Sequence, residues 1–206
     1  MINILFDMDG TLLDSEDSIC EAVNEIRVER SLLPLPKQMI KNAIHTPEVN
    51  CAKLFYEIEH FAHKSYKVGF ERYFTKHYER AVLFAGVKEM LESLKQNGYF
   101  LALASNAPHN TLKPILQRHN IVQFFDEVIG TNEKIESKPH PMMIELILRN
   151  APFSKSVFVG NCAKDEGAAK NAGIAYLSAK WGEEALEANE FSNAKELVEK
   201  IQKYAN

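Results

Sequence analysis

Apolar residues in this chain follow two rhythms. Five short stretches are mostly apolar without polar alternation: Ile2 to Phe6, Tyr99 to Ala104, Glu127 to Ile129, Val157 to Val159 and Ile174 to Leu177. Such runs predict strands covered on both faces, as in a parallel sheet. Between them, apolar positions recur at the spacing of one helical face. Val87, Met90, Leu91 and Leu94 make one such stripe, and Gly98 stands where a C′ glycine stops a helix. Leu112, Ile115 and Leu116 make another after Pro108, and Met143, Ile144, Ile147 and Leu148 a third after Pro141. Ala168, Ala169 and Ala172 precede Gly173, and Leu197, Val198 and Ile201 mark a last amphipathic helix. From about Val82 onward strand and helix alternate, which predicts an α/β fold with a parallel sheet and helices on both faces.

The stretch from Ser15 to Arg80 breaks that alternation and contains no convincing strand. Asp14 or Ser15 suits the N-cap of a long helix with Ile19, Val23 and Ile26 on its inner face. Pro36 and Pro47 each suit a first helical turn. Two further stripes are Leu54, Phe55, Ile58 and Phe61, then Tyr66, Phe70, Tyr73 and Phe74. The predicted organisation is an α/β core domain, residues 1–14 and 81–206, with a helical domain inserted at 15–80.

Composition narrows the function. The formal net charge is -4, the pI is near 6.0, and no run of Lys or Arg occurs. This argues against nucleic acid and against a membrane surface as partners. Residues 15–80 carry ten Lys/Arg and ten Asp/Glu, so the negative charge belongs to the α/β part. Three widely spaced cysteines, Cys20, Cys51 and Cys162, fit a reducing compartment rather than a disulfide framework. The opening apolar run is short, lacks a basic lead-in and meets Asp7, unlike a signal peptide. No stretch approaches the roughly 20 apolar residues of a membrane span. A cytoplasmic protein is the expectation.

Four strand ends carry chemistry. The first strand runs into Asp7-Met8-Asp9-Gly10-Thr11-Leu12. Catalytic groups of open α/β sheets gather at the carboxyl ends of strands. Two acids two residues apart on extended chain point the same way, and the repulsion between them calls for a cation or a shared proton. Asp-Gly alone is a common turn signal, but that reading leaves Asp7 unexplained. Leu103-Ala104-Ser105-Asn106 is again an apolar run meeting a polar pair, and a hydroxyl and a backbone N–H at a strand end can hold a phosphoryl oxygen; taken alone this is a weak signal. Ser137-Lys138-Pro139-His140-Pro141 fixes a lysine in extended loop, because Pro139 disfavours α conformation before it. An isolated lysine there would be read as solvated. Val157 to Asp165 delivers Asn161 and Asp165, hard oxygen donors that suit Mg²⁺ rather than zinc.

The order and spacing of these segments resemble the haloacid dehalogenase superfamily of phosphohydrolases, in particular its phosphoglycolate phosphatase-like branch with a helical cap. The resemblance rests on DxDGTL at Asp7 to Leu12, Ser105-Asn106, Lys138-Pro139-His140-Pro141, and Gly160-Asn161 with Asp165, and it covers nearly the whole chain. It implies a Rossmann-like core with residues 15–80 as the cap. It implies Asp7 as nucleophile and Mg²⁺ ligand, and Asp9 as general acid/base with its backbone carbonyl on the metal. Ser105, with Asn106 and Thr11, would bind the phosphoryl group, and Lys138 would bridge it to Asp7. Asn161 and Asp165 would hold the metal directly or through water. The family usually has Asp at the position of Asn161, so one charge is missing and lower metal affinity is expected. Ala85 stands where related sequences tend to have Pro.

The expected activity is Mg²⁺-dependent hydrolysis of a small phosphorylated metabolite through an aspartyl-phosphate, by a monomer or homodimer. A phosphosugar mutase of the same fold and a catalytically weakened binding protein are the competing readings. The resemblance also suggests that a loop near Ala43 to Pro47 faces the site, with His45 against the leaving group; a lone loop histidine is otherwise a surface residue. His60, His63, His77, His109, His119 and His140 are read as surface or core. Cys162 lacks a base partner, and Glu183 to Glu190 is read as a solvated face.

Overall fold

The predicted alternation closes into one six-stranded sheet. In the computed structural model, residues 1–59, 73, 76–184 and 187–205 are described. The first strand is β1 (Asn3–Phe6), followed by the two-residue β2 (Leu13–Asp14). Three helices follow: α1 (Glu16–Glu29), α2 (Lys37–His45) and α3 (Cys51–Tyr56). After β3 (Val82–Leu83) the chain alternates regularly: α4 (Val87–Gln96), β4 (Phe100–Pro108), α5 (His109–Arg118), β5 (Glu127–Thr131) and α6 (Met142–Leu148). It ends with β6 (Ser156–Gly160), α7 (Ala163–Asn171), β7 (Ala175–Ala179), β8 (Glu190–Phe191) and α8 (Ala194–Ala205).

The sheet order is β5-β4-β1-β6-β7-β8, and every neighbouring pair is parallel. β1 lies in the interior, with Leu5 beside Ala102 on one side and Phe158 on the other. All four of its residues are buried, the condition under which a strand carries no polar alternation. Successive side chains still go to opposite faces. Ile4 and Phe6 join a core with Leu91 of α4, Leu112 of α5 and Ile201 of α8. Leu5 joins a second core with Met143, Ile144 and Ile147 of α6 and Ala168 and Ala169 of α7. Burying one Leu, Ile or Phe contributes about 1.5–3 kcal/mol, so these two layers dominate the energetics of the sheet. The α/β expectation is thus met, with helices on both faces.

The inserted helices build a third core of their own, from Val23 and Ile26 of α1, Ile40 and Ala43 of α2, Phe55 and Tyr56 of α3, and Tyr73. Phe61, Tyr66, Phe70, Phe74, His60 and His63, named among the sequence stripes and histidines, lie outside the described residues. The chain enters and leaves the insertion through an antiparallel ribbon in which Leu13 faces Leu83 and Asp14 faces Val82.

Ser15 takes the N-cap position of α1 as expected, without a side-chain capping bond. Local expectations failed in two places. Pro47 does not open a helix; Asn50 does, its side chain accepting from Lys53 N at 3.1 Å. The Glu183 to Glu190 stretch is not wholly a solvated face, since Glu190 starts β8 against Ser178.

Candidate active site

In a parallel sheet the carboxyl ends of the strands share one edge, and the sequence loads that edge. Asp7 extends β1, its backbone N–H donating to Val159 O at 2.8 Å. Ser105 sits within β4, and Asn161 directly follows β6. At Gly160 a side chain has no room: a Cβ would stand 2.5 Å from Asp165 Cβ. That close approach brings the first turn of α7, with Asp165, onto the end of β6.

Lys138 arrives from the loop before α6 and is buried at the centre of this edge. Its Nζ lies 2.5 Å from Asp7 Oδ1 and 2.6 Å from Asp165 Oδ1, and 5.2 Å from the centre of the Phe158 ring. The Lys138 side chain is 2% exposed and those of Asp7 and Asp165 8% and 1%, so solvent screens little of the attraction. Removing one partner of such a buried pair costs about 3–5 kcal/mol, because a charge is left uncompensated. Burial pushes Asp7 up to about 7, with Lys138 pulling down and Asp165 and Asp9 pushing up. Burial works against the Lys138 ammonium, but Asp165 and Asp7 outweigh it and hold its pKa above the ordinary value. Asp165 Oδ2 accepts from the backbone N–H of Asn161 at 3.0 Å and of Cys162 at 3.3 Å, which locks the carboxylate.

Asn106 fixes the lysine. Its Oδ1 accepts from Lys138 N at 2.7 Å and its Nδ2 donates to Lys138 O at 3.1 Å. The Asn106 amide thus clamps the loop backbone. Ser105 is buried next to it, its Oγ accepting from Ala107 N at 3.1 Å.

Asp9 is held by two hydroxyls on one oxygen. Ser15 Oγ donates to Asp9 Oδ1 at 2.6 Å and Tyr78 Oη at 2.5 Å. Burial raises Asp9 above the usual carboxylate range. Burial also holds the Tyr78 phenol well above its ordinary value, so it stays a donor. Sequence reasoning missed both partners. Ser15 looked like a helix cap, and Tyr78 lies 69 residues from Asp9 with no local signal.

Asp7, Asp9, Ser105, Lys138 and Asp165 line one cavity of about 680 Å³, together with Ile19, Val23, Ile44 and His45 from α1 and α2. His45 is the last residue of α2 rather than a loop residue, and its Nε2 lies 2.7 Å from Glu16 Oε1. Thr11 does not line the cavity; it is buried, with its Oγ1 lacking a partner among the described residues and its carbonyl accepting from Trp181 Nε1 at 3.0 Å. Cys162 is pushed up to about 12, chiefly by burial, and stays a thiol. Away from the cavity, His77 is buried between Glu21 and Glu25.

The site fits a hard divalent cation on one observation above all: Asn161 Oδ1 is a buried acceptor with no hydrogen-bond partner among the described residues. Among those residues, His, Cys, Asp and Glu side chains alone form no group of three or more able to hold a metal. The Asn161 amide oxygen beside the carboxylates would contribute to an all-oxygen donor set that suits Mg²⁺.

The chain is also similar to known proteins along most of its length. Residues 4–179 match a family model described as haloacid dehalogenase-like hydrolase. A phosphoglycolate phosphatase of Pseudomonas syringae pv. syringae (strain B728a) is 30% identical over 189 residues, covering 87% of this chain and 69% of the relative. One from Pasteurella multocida (strain Pm70) is 30% identical over 192 residues, covering 86% and 84%. Among solved structures, a predicted phosphoglycolate phosphatase from Haemophilus somnus 129pt superposes with a TM-score of 0.74 at 26% identity, covering 97% of each chain. A Lactobacillus plantarum structure shares the fold with a TM-score of 0.81 at 18% identity, covering 97% of this chain and 100% of the other. No helix among the described residues is long and apolar enough to cross a membrane.

Proposed function

The chain belongs to the haloacid dehalogenase-like hydrolase family, and from that premise we propose that it is a phosphatase acting on a small phosphorylated metabolite through Asp7. The observation that carries this reading is the buried Lys138 bound at once to Asp7 and Asp165, on the edge of the cavity that also holds Asp9 and Ser105.

Phosphoryl transfer asks a protein mainly for positioning and charge stabilisation. Asp7 attacks phosphorus in line, forming an Asp7 O–P bond as the bond to the leaving oxygen breaks. The electron pair of that bond goes to the leaving oxygen, which takes a proton from Asp9. Asp9, now a carboxylate, accepts a proton from water as the water opens the aspartyl-phosphate. The Lys138 ammonium holds Asp7 in place and sets positive charge beside the transferring oxygens. Ser105 offers its hydroxyl to the same group. Mg²⁺, held by Asp7, Asp165, the Asp9 backbone carbonyl and the Asn161 amide oxygen, supplies further charge neutralisation when bound.

Residues 15–80 act as the cap over the core of residues 1–14 and 81–206. His45, tied to Glu16, meets the leaving group from the cap side. Phosphoglycolate belongs in the first substrate panel, because the relatives named above carry that activity in their names.

The test is phosphate release from a panel of phosphorylated metabolites, with and without Mg²⁺. Release that depends on Mg²⁺ and vanishes in Asp7→Asn supports the reading. Wild-type rates in Asp7→Asn with excess Mg²⁺ end it.

A further inference from the structure

We infer that Ser15 and Tyr78 are positioning residues that fix which oxygen of Asp9 exchanges the proton, and that they tie this choice to the two segments joining the helical insertion to the core. The inference rests on the reading of Asp9 as general acid and base.

Both hydroxyls donate to the same atom, Asp9 Oδ1. Asp9 lines the cavity, and both hydroxyl bonds fall on Oδ1 and leave Oδ2 uninvolved. An oxygen that already accepts two hydroxyl protons has little capacity left for one of its own. The transferable proton therefore sits on Oδ2. As it leaves for the departing oxygen, charge develops on the carboxylate. Hydrogen bonds to an ionised acceptor are roughly twice as strong as those to a neutral one. The two hydroxyls therefore bind Asp9 more strongly after it has donated than before, which is the differential stabilisation that lowers a barrier.

The origin of the two donors adds a second element. Ser15 immediately precedes α1, where the chain enters the insertion, and Tyr78 lies just before β3, where it returns. The Leu13–Leu83 and Asp14–Val82 pairs hold those segments side by side. Both residues are fully or almost fully buried, so bulk water does not compete for Oδ1. Ser15 also stands at an N-cap position and leaves the cap bond unmade, although serine is among the best capping residues. Its hydroxyl proton goes to Asp9.

A purely structural role, in which Asp9 merely satisfies a buried phenol, predicts something different in a measurement of leaving-group dependence. Single-turnover release of the leaving group is measured in excess Mg²⁺ for a series of aryl phosphates of decreasing phenol acidity, ending with an alkyl phosphate. Wild type, Tyr78→Phe, Ser15→Ala, Ser15→Thr and Asp9→Asn are compared. Poor leaving groups need the proton and good ones do not. Tyr78→Phe and Ser15→Ala are expected to lose about tenfold or more additional rate at the alkyl end relative to the most acidic phenol, a fraction of the full general-acid effect. Ser15→Thr, which keeps the hydroxyl, is expected to recover the wild-type slope. Losses equal across the series in both Tyr78→Phe and Ser15→Ala overturn the inference while a steep Asp9→Asn profile leaves the parent reading standing. An Asp9→Asn profile as shallow as wild type overturns that reading as well. Should Tyr78→Phe fail to fold, the Ser15→Ala and Ser15→Thr pair decides alone.

Discussion

Gly10 and Asn161 compete for one space: a Cβ on Gly10 would stand 2.1 Å from Asn161 Nδ2 and 2.8 Å from its Cγ. Gly10 turns the chain with φ +74, directly after the two acids, while Met8 O accepts from Leu12 N and Leu13 N at 2.9 and 3.0 Å. The bare Cα therefore does two jobs. It permits the left-handed turn, and it lets the Asn161 amide pack across the loop. Gly10→Ala should lose about 1–2 kcal/mol from backbone strain alone. It should also push Asn161 aside and raise the Mg²⁺ concentration needed for half-maximal activity. Thermal melts and a Mg²⁺ titration separate the two effects. Lower stability with an unchanged Mg²⁺ requirement would show that Asn161 does not face the metal.

Asn161→Asp tests the same residue from the other side. With both carboxylates ionised, Asp7, Asp165 and Lys138 leave one unit of negative charge at this edge, and the family pattern would add another. The added carboxylate should tighten Mg²⁺ binding, with half-saturation falling about tenfold, since ligand charge tunes affinity at hard-cation sites. Without metal, the same change buries a further like charge and should lower the melting temperature. Both readouts are needed. Tighter binding with no loss of metal-free stability would mean that the new carboxylate is solvated, not among the buried acids.

How much of this was legible beforehand depends on the range of the interactions. The end of β1 was readable because an apolar run meeting two acids is a local pattern, and Asp7 lies where that pattern put it. Lys138 was readable only as part of a motif. On its own it is a loop lysine, and its 4% exposure emerges from folding, when Asp7 lands 131 residues away in sequence. Ser15 was readable as a helix start because that signal is local too, whereas its bond to Asp9 depends on where the core turns. Tyr78 left no trace at all. The ribbon of β2 and β3 and the short β8 are only two residues per strand, too brief for any periodicity. Pro47 lost to Asn50 because a side-chain cap onto Lys53 N satisfies a backbone donor that proline cannot.

Asn106, expected to bind substrate, lines the cavity, and its amide meets both backbone groups of Lys138. Asn106→Ala removes an acceptor and a donor from a part-buried loop, which should cost about 1–3 kcal/mol. The larger effect should fall on turnover, because the loop that presents the ammonium to Asp7 is loosened. Asn106→Asp keeps the acceptor for Lys138 N and loses the donor to Lys138 O, so it should fall between the two. Turnover measured against stability for the three proteins checks the order. If the alanine variant raises KM and spares kcat, the amide acts on substrate instead of on Lys138.

Glu16 gives the insertion a pH-dependent brace. Its carboxylate meets His45 Nε2 at 2.7 Å and Lys41 Nζ at 3.3 Å, and it is held below its usual 4.5, first by the His45 hydrogen bond. A depressed folded-state pKa means that the ionised form favours the folded chain. The contribution is therefore present above 4.5 and lost as pH falls through the lower folded value. These side chains are 30% exposed, so solvent reduces the gain to about 0.5–1 kcal/mol. Glu16→Gln should be less stable than wild type by that amount at about pH 7, and the gap should close toward about pH 3. Denaturant melts at several pH values follow the difference. A gap that persists in acid would mean that Glu16 braces α2 by packing and neutral hydrogen bonding, with its charge playing no part.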